Sequence, residues 1–418
     1  MKYTLNKVEL MAPAGSYESL RAAINAGCDS VYFGVTQLNM RARSAGAFTI
    51  EDLKKIADIC HENNVKAYLT LNTILYDHDM ALMKEIVDAV KESHVDSIIM
   101  ADIAGIEYAR EQGVTVHIST QLSVSNLDTI KFWSQHTDVV VLARELDLKM
   151  IKYICDEVKK QNITGPSGKL MRIEVFAHGA MCISISGRCG MSLYATNASA
   201  NRGACKQMCR RAYTIKDKKN GTEFEIDNEY VMSPQDMCTI HFLDQVIDTG
   251  VEVLKLEGRG RSADYVDRAV KCYREAIDAI EEGIYTEEKI EDWMEKLGTV
   301  YNRGLSDGYY LGQKQGHWSE SDNSLATEQK VFLGIVNKYF KQVNVAEIQL
   351  QAYELELGDE ILFIGATTGV FRMKVEDLRD EDGNPIKKAD RKSVVTIKTK
   401  EVLRKNDKVY IIKQKINS

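Results

Sequence analysis

Residues 67–102 read AYLTLNTILYDHDMALMKEIVDAVKESHVDSIIMAD. The stretch contains one apolar run, Ala67–Asn72, one amphipathic helical stretch, Met80–Ser93, and a second apolar run, Ser97–Asp102. Neither run alternates apolar with polar, as expected for strands buried on both faces of a parallel sheet. Strand, helix, strand in this order is the βαβ unit. The same rhythm extends both ways along the first 260 residues. Further runs occur at Val8–Ala12, Ser30–Gly34, Thr115–Ser119, Asp138–Ala143, Arg172–His178 and Glu252–Glu257. Helical stretches include Tyr17–Ala26, Ile50–Asn63 and Ile103–Gln112. Eight strands in βα alternation predict an α/β fold, a TIM-like (β/α)8 barrel, with an open doubly wound sheet as the alternative.

The barrel carries its active site where the strands end, so polar side chains should collect there. Asn39, Arg41 and Arg43 follow the second strand, and Asn72 ends the third. Asp102 ends the fourth, and Ser119 and Gln121 follow the fifth. Arg144 and Glu145 follow the sixth, His178 ends the seventh, and Glu257, Arg259 and Arg261 follow the eighth. The competing reading is that these arginines pair with Asp102, Glu145 and Glu257 and only hold the barrel shut. After the barrel, Ala263–Asn302 reads as helical, and Gln313–Gln329 reads as a polar linker. Short strands from Val331 onward, with Gly, Asp and Asn turns, predict a small C-terminal β-barrel. The expected domains are thus 1–312, with an insertion at about 179–251, a linker at 313–329, and 330–418.

The 418 residues are 44% hydrophobic and 28% charged, which suits a globular protein with a full core. No run of about 18 apolar residues marks a membrane span. No apolar leader segment is visible at Met1–Leu10, so a cytoplasmic location is expected. A net charge of −7 excludes nucleic-acid binding through the overall field. Any such binding needs a local patch. One candidate comprises Arg202, Lys206, Arg210, Arg211, Lys216, Lys218 and Lys219, which reads equally well as a solvated loop.

Five of the nine cysteines fall between Cys182 and Cys238. Cys182, Cys189, Cys205 and Cys209 have the spacing Cys-x6-Cys-x15-Cys-x3-Cys, and Cys238 follows. Only one pair is close, whereas structural zinc sites usually have close pairs on both sides. Iron–sulfur clusters tolerate looser spacing. Arg188, Arg202, Arg210 and Arg211, with nearby glycines, offer charge and N–H donors to thiolates. The spacing leaves an iron–sulfur cluster, zinc and incidental buried cysteines open. A nucleophilic Cys182 with His178 as base would require a helix, which Gly179 disfavours.

Several segments resemble the collagenase-like peptidase family of unassigned catalytic type. They are Glu174–Cys182, with Gly187, Arg188, Cys189 and Ser192; Met11–Gly15; Asn39–Arg43; His117–Gln121; and Lys255–Arg259. The resemblance covers about residues 5 to 312, and the C-terminal β domain resembles the extension of one branch. That branch is similar to the prephenate-dependent hydroxylases that convert the wobble uridine of tRNA to 5-hydroxyuridine without oxygen. The resemblance implies a 4Fe–4S cluster on Cys182, Cys189 and Cys205, with Cys209 or Cys238 as the fourth ligand. It implies tRNA and prephenate as partners, and leaves open whether a related partner subunit is needed. The catalytic candidates are His178, Arg144, Gln121 and Asn72, and the substrate-binding candidates are Arg41, Arg43, Arg259 and Glu257. A peptidase and a hydroxylase of ribosomal RNA are the alternatives. No convincing nucleophile–base–oxyanion set supports proteolysis.

Overall fold

The structure, a computed structural model, describes residues 8–42, 48–185, 188–221, 223–224, 230, 232–312, 317–321 and 324–415. Seven parallel strands come first: β1 (Glu9–Pro13), β2 (Ser30–Phe33), β3 (Lys66–Leu71), β4 (Ser97–Met100), β5 (Val116–Ile118), β6 (Val139–Val141) and β7 (Arg172–Ala180). The eighth, Val253–Leu256, pairs with both β1 and β7 and closes the barrel. Six helices pack outside, α1 (Tyr17–Asn25), α2 (Leu53–His61), α3 (Met80–Glu92), α4 (Ile103–Glu111), α5 (Leu127–Trp133) and α6 (Leu148–Lys160). Their apolar stripes, such as Leu53, Ile56 and Cys60 on α2 or Met83, Ile86 and Val90 on α3, join the outer core. Polar side chains fix the helix starts. Ser16 caps α1, and Asp102 accepts from the N–H groups of Ala104 and Gly105 at the start of α4. Asp102 is therefore a cap, which satisfies donors that a helix start leaves orphaned.

The barrel interior is unusually polar at its base. Met11, Tyr32, Tyr68, Ile99 and Val253 form a separate inner cluster. Beside it, Glu9 accepts hydrogen bonds from Tyr68 Oη (2.8 Å), Arg172 (2.8 Å) and Lys66 (3.2 Å). Burial alone would keep this carboxyl protonated, but Arg172 and Lys66 pull its pKa down to about 2. Higher in the barrel, Lys255 Nζ donates to Glu174 Oε1 at 2.8 Å.

The ladder between β7 and Val253–Leu256 contains a bulge. Lys255 pairs with Phe176, but Leu256 pairs with His178, so Ala177 is the extra residue. A bulge flips the alternation beyond it. His178 consequently faces away from the barrel interior, with its ring 5.4 Å from that of Tyr273 and 6.0 Å from that of Tyr265. The next residue, Gly179, has φ +108° and lies against the carbonyl of Glu257, where a Cβ would stand 2.5 Å from that oxygen.

The chain after β7 has its own structure. It forms the short helix α7 (Met191–Thr196) and returns as an antiparallel strand, Asp236–Cys238, along the upper part of β7. Helix α8 (Leu243–Asp248) then leads to the closing strand. The helical stretch expected over Ala263–Asn302 is two helices, α9 (Ala263–Glu282) and α10 (Glu287–Gly298). Gly283, at φ +73°, ends the first in the left-handed conformation, and Thr286 caps the second. Residues 317–321 and 324–327 are docked on the barrel. Ser319 is fully buried and donates its N–H to Ser233, and Leu325 donates to Asn302.

The C-terminal domain is a seven-stranded antiparallel sheet whose central strand, Glu328–Phe340, pairs with Val345–Leu350 and Lys408–Gln414. It wraps a core of its own that includes Leu333, Ile348, Phe363, Val395 and Val409. Leu362 and Ile364 on its outer face bury against Ala22 of α1 and Ala263 of α9.

Candidate active site at the barrel mouth

A cavity of about 360 Å³ opens at the C-terminal ends of the barrel strands. Asn72, Gln121, Arg144, Arg41, Arg259 and Glu257 line it, as do Cys182, Cys189, Cys205 and Cys209. The barrel thus brings together most of the strand-end residues expected from the sequence with the set Cys182, Cys189, Cys205 and Cys209. Arg43 lies outside the described residues. Two expectations are corrected. His178 does not line the cavity, because the Ala177 bulge turns it toward α9. Cys238 is fully buried behind β7, with Tyr273 Oη and Met294 Sδ each 3.8 Å from its thiol, and does not reach the cavity either.

The cations divide into paired and unpaired groups. Arg41 binds Glu257 at 3.0 Å. Arg303 binds Asp236 at 3.0 Å, and both are buried. Arg210 donates to the backbone carbonyl of Met181 at 2.6 Å and to Ser233 Oγ at 3.0 Å. Among the described residues, Arg144, Arg259 and Arg261 form no ion pair. Arg144 lies over the Phe176 ring, 3.6 Å from its centroid, and donates to the Ala180 carbonyl at 2.7 Å. Arg259 is buried and donates to Asn39 Oδ1 (3.2 Å) and to Thr70 Oγ1. Burial pushes the pKa of its guanidinium down to about 10. Arg261 stacks on Tyr301 at 3.5 Å.

Seven cationic side chains line the cavity, against the two carboxylates Glu145 and Glu257. Burial would raise the Glu257 pKa, yet Arg41, Arg261 and Arg144 hold it at about 2. The mouth therefore carries an excess of positive charge around one fixed internal anion. Asn72 Oδ1 accepts from Met40 N at 3.2 Å, and its amide nitrogen donates to Ser119 Oγ at 3.3 Å. Gln121 sits beside it, with Arg188 donating to its carbonyl at 3.2 Å.

The four thiols face this cavity from the segment after β7. Met191 N donates to Cys189 Sγ at 3.4 Å, and Cys182 Sγ lies 3.3 Å from Ser184 Oγ. Burial raises the Cys209 pKa. Arg210 opposes the rise, while Cys182, Cys205 and Cys189 add to it through like-charge repulsion. One thiol is thus in electrostatic reach of the other three. Arg202 clasps the segment to the barrel through Asp79 and the Ile74 carbonyl.

Several cavity residues had escaped the sequence reading: Tyr32, Thr70, Phe176, Lys255 and Arg303. Lys255 carried a usable signal, a charged residue inside a strand that otherwise reads as buried. Arg303 carried none, because it arrives from the turn after α10.

The model of peptidase family U32 matches residues 15–320, and that of the U32 C-terminal domain matches residues 328–412. The chain belongs to peptidase family U32. Among relatives of this U32 chain, a Porphyromonas gingivalis protein named "Collagenase" is 52% identical over 406 residues, covering 97% of this chain and 98% of the relative. A Bacillus subtilis protein named "tRNA hydroxylation protein P1" is 33% identical, with coverage of 91% and 89%. An Escherichia coli protein named "23S rRNA 5-hydroxycytidine C2501 synthase" is 32% identical over 67% of this chain and 41% of its own length. Among the described residues, no helix of the U32 chain is long and apolar enough to cross a membrane.

Proposed function

We propose that this chain is an oxygen-independent RNA hydroxylase. In this reading it forms 5-hydroxyuridine at the wobble position of tRNA, uses prephenate as the hydroxyl source, and holds a 4Fe–4S cluster on Cys182, Cys189, Cys205 and Cys209. The observation that carries the reading is one cavity lined by four thiols and by arginines that have no carboxylate partner. The names of the Bacillus and Escherichia relatives point the same way.

Four cysteines are the donor set that a 4Fe–4S cluster takes. Among the described residues, no three His, Cys, Asp or Glu side chains converge as the ligands of one metal ion do. A cuboidal cluster takes one thiolate per iron, four in all. When bound, it supplies one-electron redox chemistry beside the substrate acid. The chain's own residues bind and orient. Arg144 and Arg259 present guanidinium groups to carboxylates, which Arg binds bidentately and Lys does not. Glu257 stays ionised and keeps Arg41 turned inward. Asn72 and Gln121 offer amide groups to hydroxyl or carbonyl oxygens.

RNA would meet the segment that covers the mouth. Between residues 179 and 221 there are eight Lys or Arg and one acidic residue, Asp217. Arg188, Lys206 and Arg211 are exposed, and Tyr194 is 91% exposed, available for base stacking. A local patch of this kind satisfies the requirement that the negative overall charge imposes. The peptidase reading finds less support. Among the described residues no histidine lines the cavity, so none stands there as an imidazole base for Cys182 or Ser184.

The test is anaerobic purification and cluster reconstitution, followed by incubation with prephenate and tRNA lacking the modification. Mass spectrometry of the nucleosides should show 5-hydroxyuridine only when both iron and prephenate are present. Gelatin cleavage without any change in the nucleosides would overturn the proposal.

A further inference from the structure

Lys255 is 4% exposed and sits at the base of the cavity. Its ammonium has three N–H groups, yet among the described residues it makes one hydrogen bond, to Glu174 Oε1 at 2.8 Å. A buried ammonium normally fills its donors or loses its proton. Here burial does lower the Lys255 pKa, and Glu174 opposes that shift. The remaining surroundings are two ring faces, Tyr32 at 4.5 Å and Phe176 at 5.5 Å, and the open cavity. The same rings hold two other cations. Arg144 lies over Phe176 at 3.6 Å, and Arg259 faces Tyr32 at 5.7 Å. Lys255, Arg144 and Arg259 therefore surround one small space, where the nearby carboxylates are Glu174, bonded to Lys255, and Glu257, paired with Arg41.

We infer that Lys255 forms the base of a subsite for a small carboxylic acid, its free N–H groups donating to an anionic or carbonyl oxygen that Arg144 and Arg259 hold from above. Glu174 is a positioning residue that fixes the Nζ under this space. The inference extends the proposed function by assigning the acid's innermost contact, and it rests on that reading for the identity of the acid. The carboxylate subsite itself rests on geometry alone.

The experiment is isothermal titration of prephenate, malonate and succinate into the full-length wild type, Lys255→Met and the double variant Lys255→Met/Glu174→Gln. The double variant leaves no unpaired buried charge if the single variant fails to fold. Wild type should bind at least one acid, and removing Lys255 should weaken that binding by at least about 30-fold, the scale expected for losing a buried charged hydrogen bond. Equal affinity in the folded variants, or no binding of any of the three acids by wild type, overturns the subsite. Binding of malonate or succinate but not prephenate, still lost without Lys255, upholds the subsite and removes prephenate from the proposed function.

Discussion

Arg259 owes its position to a neighbour that has no side chain. Its Nη1 lies where a Cβ on Gly34 would stand, 2.5 Å away, and Asn39 Cγ is 2.8 Å from the same point. Both neighbours are pinned, Asn39 by its bond to the Val35 carbonyl and Arg259 by Asn39 and Thr70. Gly34→Ala should therefore destabilise the chain by about 1–3 kcal/mol in chemical denaturation, the range for overpacking a filled site. Glu257 gives a second prediction at this scale. Its folded pKa of about 2 lies below the unfolded carboxylate value of about 4.3. The stabilisation is complete above about pH 4.3 and is lost as pH falls through about 2, and it amounts to something on the order of 3 kcal/mol. Denaturation midpoints measured from pH 5 to pH 2 should fall more steeply for wild type than for Glu257→Gln.

The elements differ in how visible they were beforehand. The barrel strands were legible because strands buried on both faces leave continuous apolar runs, and the turns after them were legible because polar side chains follow each run. The turn at Gly283 was missed because apolar periodicity continues on both sides of it. His178 was misplaced because a bulge is a pairing between two strands, Ala177 opposite the Lys255–Leu256 step, and neither strand shows it alone. Cys238 failed as a ligand candidate for a related reason. Its strand returns along β7 and puts it on the same outward face as His178. Iron content separates the two candidate cysteines. Cys209→Ala should lose iron after reconstitution, whereas Cys238→Ala should keep the wild-type iron content. Asp102, one of the strand-end polar residues, serves α4 instead of the cavity. Asp102→Ala should lower stability by about 1 kcal/mol, the usual cost of losing an N-cap, and leave the binding of small acids unchanged.

At the scale of the whole molecule, the C-terminal sheet, with a core of its own, meets the barrel helices through a small apolar contact. Leu362 and Ile364 meet Ala22 and Ala263, with Val370, Tyr410 and Ile412 packed around them, and Lys330 pairs with Asp264 beside them. The alanines let the strand face approach both helices closely. Burying a leucine side chain contributes about 1.5–3 kcal/mol. Leu362→Asp should lower the thermal midpoint of the full-length chain, whereas Leu357→Asp, at a residue 46% exposed, should leave it unchanged.

The cations of this chain lie at two depths, and ionic strength will tell them apart. Lys255 and Arg259 are shielded from solvent, while Arg188, Lys206 and Arg211 on the covering segment stand in it. Mobile ions screen charges beyond about 8 Å at physiological salt, and they do so only where they can enter. Added potassium chloride should therefore strip a polyanion from the rim while a small acid stays held in the interior. The two proposed occupants could then be separated, and their affinities measured one at a time, by varying a single buffer component.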